Sequence, residues 1–223
     1  MIGDQALPTA LVAGATGLIG RRLVRLLIES DDYDRVHLLV RRPTGITDDR
    51  LVEHAIDFDK LPDAGEDVGS VDHAFCALGT TIRTAGSREA FRRVDHDYVV
   101  AFAKLARDLG AQQFAVVSSL GADPDTRSFY LRVKGETERD LEALGLPRLV
   151  ILRPSLLTGD RDEFRPGEKV SQLLLGITSP LLVGRLGRIR PVSDEQVARA
   201  MLGSVKNEGS AVRVIESEDI RSV

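Results

Sequence analysis

The chain has a single cysteine, Cys76, in 223 residues, so no intrachain disulfide can staple it. Such thiol content fits a reducing compartment. Cys76 lies in the apolar run Val71–Leu78 with no basic activator nearby in sequence, which points to a buried structural thiol. Long hydrophobic runs are missing too. The greasiest stretch, Ser171–Val183, is broken by Gly176 and Pro180 and is too short to span a bilayer. Residues 1–10 lack the basic flank and apolar centre of a signal peptide. Together these absences predict a cytoplasmic protein with no membrane partner. Charge of one sign is not in excess. A net charge of −4, with no basic stripe interleaved with aromatics, argues against nucleic acid. His37, His54, His73 and His96 are scattered without metal-ligand spacing, so no metal is expected.

What is present is an ordinary globular composition, 43% hydrophobic and 29% charged, with length for one sizeable core rather than two. No repeat, low-complexity tract or Gly/Ser linker divides it. The expectation is one domain over 1–223, with a core at 8–153 and a portion at 154–223 that completes the sheet and the substrate side.

Short β-rich runs alternate with helical patterns. Ala10–Ala13 is an apolar strand, after which Ile19, Leu23, Leu26 and Leu27 form the stripe of an amphipathic helix. Further strands are predicted at Arg35–Val40, Leu51–Asp57, Val71–Leu78, Phe114–Ser118, Leu149–Leu152 and Val212–Glu216. A long helix bearing Val94, Tyr98, Ala101, Phe102, Leu105 and Ala106 should end at Gly110. Two more helices are expected at Ser128–Leu144 and Asp194–Val205. This alternation implies a Rossmann-type, doubly wound α/β fold, a parallel sheet covered on both faces.

The first strand runs into Gly14-Ala15-Thr16-Gly17-Leu18-Ile19-Gly20, where the first helix begins. A pyrophosphate needs N–H groups aimed at it, and a helix N-terminus supplies them with a positive dipole end. Gly14 permits the turn, Gly17 leaves room for phosphate, and Gly20 lets helix and sheet approach. The spacing is G-x-x-G-x-x-G, and its strand-to-helix context carries the reading. A P-loop is excluded, because no Gly-Lys-Ser/Thr follows. The second strand ends in Arg41-Arg42, where an NAD site usually places a carboxylate. Guanidinium forks suit a 2′-phosphate, so NADP(H) is preferred and NAD(H) remains open. Arg21 and Arg22 can reinforce that site or be exposed helix residues.

Tyr130 and Lys134 stand at i and i+4, on one helix face. A phenol is a poor base near neutrality unless a cation favours its ionised form, which Lys134 can do. Ser118 and Ser119 end the fifth strand at the carboxyl edge of the sheet, where ligands bind in this architecture. Either hydroxyl can polarise a substrate oxygen, with Ser119 the preferred candidate.

Assembled, these pieces resemble the short-chain dehydrogenase/reductase superfamily in its atypical branch, the group of the Tat-interacting proteins and their bacterial relatives. The shared pieces are the glycine turn, Arg41-Arg42, Asp57-Phe58, the run Cys76–Thr81, Val94-Asp95, Ser118-Ser119, Tyr130 with Lys134, Arg153-Pro154 and Arg165–Glu168. The resemblance implies cofactor contacts from Thr16, Leu18, Ile19, Ser118, Tyr130 and Lys134. It also implies that Asp57 and Phe58 lie against the adenine and that Leu78, Gly79 and Thr80 flank the cofactor's centre. Leu157 and Arg165 would face the nicotinamide. The chain departs at Val94-Asp95-His96, where many members carry an asparagine that fixes a proton-relay water. Two functions follow. One is an NADP-dependent oxidoreductase acting on a small carbonyl or alcohol. The other is an NADPH-sensing regulator that works through a protein partner, as a monomer or homodimer.

Overall fold

The computed structural model describes residues 7–158, 190–206 and 209–222, apart from the side chains of Pro62 and Asp63. β1 (Thr9–Ala13), β2 (Arg35–Val40) and β3 (Leu51–Ala55) precede a 3₁₀ segment at Phe58–Gly65 and β4 (His73–Cys76). β5 (Gln113–Val117), β6 (Leu149–Arg153) and β9 (Val212–Glu216) complete a seven-stranded sheet in the order β3-β2-β1-β4-β5-β6-β9. Every pairing in it is parallel. A separate pair, β7 (Leu157–Thr158) and β8 (Val192–Ser193), leads into the helix that follows. The chain winds outward from β1 through β2 and β3, then returns to β4 and winds the other way. The reversal opens a crevice above the carboxyl ends of β1 and β4, where ligands bind in such sheets.

Helices cover both faces because strands buried on two sides must be sheltered on two sides. One face carries α1 (Leu18–Glu29) and α6 (Asp194–Ser204), with Leu23, Leu27, Val197 and Met201 wholly buried. Arg22 spans these helices to Asp194 at 3.2 Å, so it serves the fold, whereas Arg21 is exposed. The other face carries α4 (Tyr98–Asp108) and α5 (Phe129–Glu142), which pack with Leu11, Phe114 and Ile151 of the sheet. Cys76 is fully buried there, and burial pushes its thiol up to about 12, which makes it inert as a nucleophile. Tyr33 and His73 share a 2.8 Å hydrogen bond, a structural use of that histidine.

One expectation is corrected. The long helix before Gly110 is not continuous. α2 (Ile82–Ala85) and α3 (Arg88–Arg92) come first, capped by Thr81 and Ser87, and Gly86 ends α2 at φ 85°. A π-helical turn over Arg93–Asp97 then joins α3 to α4. Asp95, within that turn, is wholly buried. Glu216, at the end of β9, pairs with Arg153 at 3.2 Å. The stretch Ser171–Val183, with Leu173–Leu175 and Leu181-Leu182, lies outside the described residues, as does Arg165.

Candidate active site

The glycine turn sits at the mouth of the crevice, and its three glycines answer to different constraints. A Cβ on Gly14 would come within 2.5 Å of the Ala77 carbonyl, and its φ of +90° is one that glycine tolerates. This close approach joins the ends of β1 and β4. A Cβ on Gly20 would lie 2.0 Å from the Gly14 oxygen, so the first turn of α1 could not fold back as it does. At Gly17 a Cβ would meet the Gly14 oxygen at 3.3 Å, a tight contact but the mildest of the three. No side chain caps α1 and no acidic residue stands in its first turn. Thr16 and Gly17 are exposed, Leu18 is half-buried and Ile19 packs into the core. An uncapped N-terminus without a competing carboxylate is the arrangement that a pyrophosphate fits.

Arg41 and Arg42 follow β2 directly and are exposed, with no carboxylate partner among the described residues. Asp57 is exposed and caps the 3₁₀ segment by accepting from the Asp59 N–H at 3.1 Å. Phe58 is 6% exposed and packs on Tyr98, so its ring is committed to the core. That leaves Asp57 as the more accessible of the pair. Leu78 and Thr80 are half-buried and Gly79 is exposed beyond β4.

On the far side of the crevice, α5 starts at a Ser128 cap and carries Tyr130 and Lys134 on one face. Gly135 lets the 123–124 loop lie against this helix, since a Cβ there would fall 2.3 Å from Asp123 and Pro124 backbone atoms. Tyr130 is half-buried against Phe91, and its hydroxyl has no hydrogen-bond partner among the described residues. Lys134 is buried, with its Nζ 2.8 Å from Asp95 Oδ1. Asp95 Oδ2 accepts from the Thr80 N–H at 2.9 Å, and the Asp95 carbonyl accepts from the Thr137 hydroxyl at 3.0 Å. Burial by itself pulls the Lys134 pKa down. The Asp95 carboxylate, with Tyr130 adding to it, outweighs that effect and leaves the pKa raised. One buried carboxylate therefore holds both the lysine and the Gly79-Thr80 corner.

The two serines are separated by their partners. The Ser118 hydroxyl donates to Glu138, which is itself clamped by Arg153 at 2.5 and 3.1 Å. The Ser119 hydroxyl makes only a 3.5 Å contact to the Leu120 carbonyl and is partly exposed. Leu157, at the other rim, is 39% exposed.

The family described as NAD(P)H-binding matches residues 14–208. The chain belongs to that family. Within it, the chain is 34% identical over 216 residues to Protein HTATIP2 of Rattus norvegicus, covering 95% of this chain and 87% of the relative. It is 35% identical over 225 residues to the mitochondrial protein FMP52 of Eremothecium gossypii, covering 96% of each. These relatives bear out the kinship with atypical short-chain dehydrogenases/reductases. Among solved structures, the ADP-L-glycero-D-manno-heptose-6-epimerase of Helicobacter pylori superposes with a TM-score of 0.70 at 18% identity, covering all of this chain and 83% of that one. MoeE5 in complex with UDP-glucose and NAD gives 0.69 at 19% identity, covering 96% and 80%. These likenesses bear on the fold alone.

The cytoplasmic expectation is overturned by the relatives, since the FMP52 proteins of Eremothecium gossypii and Debaryomyces hansenii are both named mitochondrial. A lone buried thiol and the lack of a long apolar run describe any reducing aqueous compartment, so they could not select one. No described helix is long and apolar enough to cross a membrane.

Sequence reasoning passed over three residues of this candidate site. Asp95 was noted only as a departure, and its pairing with Lys134 spans 39 positions that no local pattern links. Glu138, on α5 one turn beyond Lys134, carried a faint signal as an acid on the buried face. Gly135, mid-helix beside the Tyr-Lys pair, was the one visible clue to close packing.

Proposed function

We propose that this NAD(P)H-binding protein is an oxidoreductase that prefers NADP(H) and acts on a small carbonyl or alcohol through Ser119, Tyr130 and Lys134. The observation that carries the reading is the convergence on one crevice of an uncapped glycine turn, two exposed arginines without a carboxylate partner among the described residues, and the Tyr130–Lys134 face. The glycine turn, at Gly14, Thr16, Gly17, Leu18, Ile19 and Gly20, would hold the pyrophosphate, and Arg41 and Arg42 the 2′-phosphate. The dinucleotide, when bound, supplies or accepts a hydride. In reduction, the substrate's carbonyl carbon gains that hydride while the C=O π pair moves to oxygen. Tyr130 gives this oxygen its phenolic proton and Ser119 donates a hydrogen bond to it. Ser118, tied to Glu138, shapes the strand end behind Ser119. Lys134 stands where it can stabilise the Tyr130 phenolate, and Asp95 sets how much of its charge reaches the ring.

A second reading, a nucleotide-sensing regulator acting through a protein partner, is favoured by that same Asp95–Lys134 pair. A neutralised ammonium activates a phenol less than a free one does. Calorimetric titration with NADPH and NADH, followed by turnover of Tyr130→Phe, tests both. The oxidoreductase reading expects tighter NADPH binding, and a loss of about 100-fold or more in turnover with cofactor affinity unchanged. A cellular role that survives Tyr130→Phe but fails in Gly17→Trp would instead make the protein a regulator.

A further inference from the structure

The segment that bears Arg41 and Arg42 is held at both ends. The Val40 carbonyl accepts from the Ile56 N–H at 2.8 Å, which fixes the last residue of β2. Four residues on, the Thr44 N–H donates to both carboxylate oxygens of Glu53, at 3.1 and 3.3 Å, and the Thr44 hydroxyl donates to the same carboxylate. The Thr44 hydroxyl oxygen in turn accepts from the Ile46 N–H at 3.1 Å, and Ile46 packs on the core beneath α1. Between these anchors only Arg41, Arg42 and Pro43 span the gap, and the proline fixes its own φ. Glu53 lies in β3 opposite Leu38 of β2, so a regular strand supports the clamp.

We infer that Glu53 is a positioning residue for dinucleotide selection, holding the Arg41–Pro43 arch through Thr44 so that both guanidinium groups meet a 2′-phosphate. The inference rests on the proposed role of the two arginines. Its logic is preorganisation. A phosphate gains most from guanidinium groups whose backbone is already fixed, because less freedom is lost on binding. The sign of the effect separates this role from a plain charge effect. A carboxylate near the arch that did nothing but carry charge would repel a phosphate, and its removal would tighten NADPH.

The test is calorimetric titration of the full chain with NADPH and NADH, for the parent protein, Glu53→Ala, Glu53→Gln and Thr44→Val. The clamp expects Glu53→Ala to lose about tenfold in NADPH affinity while NADH stays within about twofold. Glu53→Gln keeps one oxygen acceptor and should recover part of the loss, and Thr44→Val should lose less than Glu53→Ala. Should Glu53→Ala fail to fold, the other two variants decide, with NADH binding as the check on their folding. Unchanged or tighter NADPH binding in the variants overturns the inference, as does an equal loss for both nucleotides. A parent protein that does not distinguish NADPH from NADH overturns the arginine reading itself, and the clamp falls with it. A parent preference that Arg41→Ala reduces but Glu53→Ala leaves intact overturns the clamp alone.

Discussion

On the β1–β2 side of the crevice, the candidate ligand-binding groups are backbone amides and exposed arginines. On the β5–α5 side they are side chains tied into buried ionic contacts. The first side is set by steric rules over short stretches of chain. At Gly14 and Gly20 any side chain would strike backbone, and the arginines follow directly from the end of a strand. The second side depends on residues far apart in sequence that meet only after folding: Asp95 with Lys134, and Ser118 with Glu138 and Arg153. The comparison teaches that binding and chemistry in this crevice respond differently to mutation. One side tolerates no added atom at two positions, and the other tolerates no unmatched charge.

The largest stability effect should come from the ionic side. Lys134→Met leaves Asp95 buried without its counter-charge, with an expected cost of about 3–5 kcal/mol in urea unfolding. Adding Asp95→Asn removes the orphaned charge and should restore much of the loss. If the double variant is no more stable than the single one, the pair is not coupled as described. On the backbone side, Gly20→Val should cost about 3 kcal/mol, since its Cβ would overlap the Gly14 oxygen. Gly17→Ala sharpens the contrast. It should cost about 1 kcal/mol, since alanine is a poorer N-cap than glycine and its Cβ would press on the Gly14 oxygen, and yet weaken dinucleotide binding. Equal destabilisation by the two substitutions would remove the distinction between packing and phosphate glycines.

The smallest effect concerns pH. Burial in the sheet disfavours the charged form of each ring and lowers the pKa values of His37, His54 and His73. His37 and His54 stack on β2 and β3 and share a 2.8 Å hydrogen bond, which requires one ring to be neutral. Since the folded pKa values lie below the unfolded 6.5, the unfolded chain binds more protons between the two. Stability is therefore full above pH 6.5 and declines as pH falls below it. His54→Gln should flatten that decline in thermal melts taken from pH 7 to pH 5. An unchanged slope would show that the pair is not its source.

Much of the fold was legible because the apolar patterns were strong and local. β2 and β9 fall on the expected bounds, α1 begins inside the glycine turn, and β1, β5 and β6 differ by a residue at their ends. The helix before Gly110 was misread as continuous because its apolar stripe persists across the break. The capping side chains of Thr81 and Ser87 and the π turn outweigh that periodicity. In the candidate site, the sequence indicated Tyr130 and Lys134 and preferred Ser119 to its neighbour Ser118 without a contact to tell them apart. Glu138 distinguishes them by engaging the Ser118 hydroxyl. Phe58 was expected against a ligand and is core instead, because its neighbour Tyr98 arrives from a helix forty residues on.

The sequence by itself determined the alternation of strands and helices, the glycine turn and the paired arginines, because each depends on neighbours within a turn or a strand. Tertiary structure decided which charges are matched and which are left for a ligand. Lys134 became one half of a buried pair, Glu53 was engaged by Thr44, and Arg41 and Arg42 have no carboxylate partner among the described residues. The physical reason is that a buried charge must find its partner wherever the fold brings one, and sequence separation places no limit on that distance.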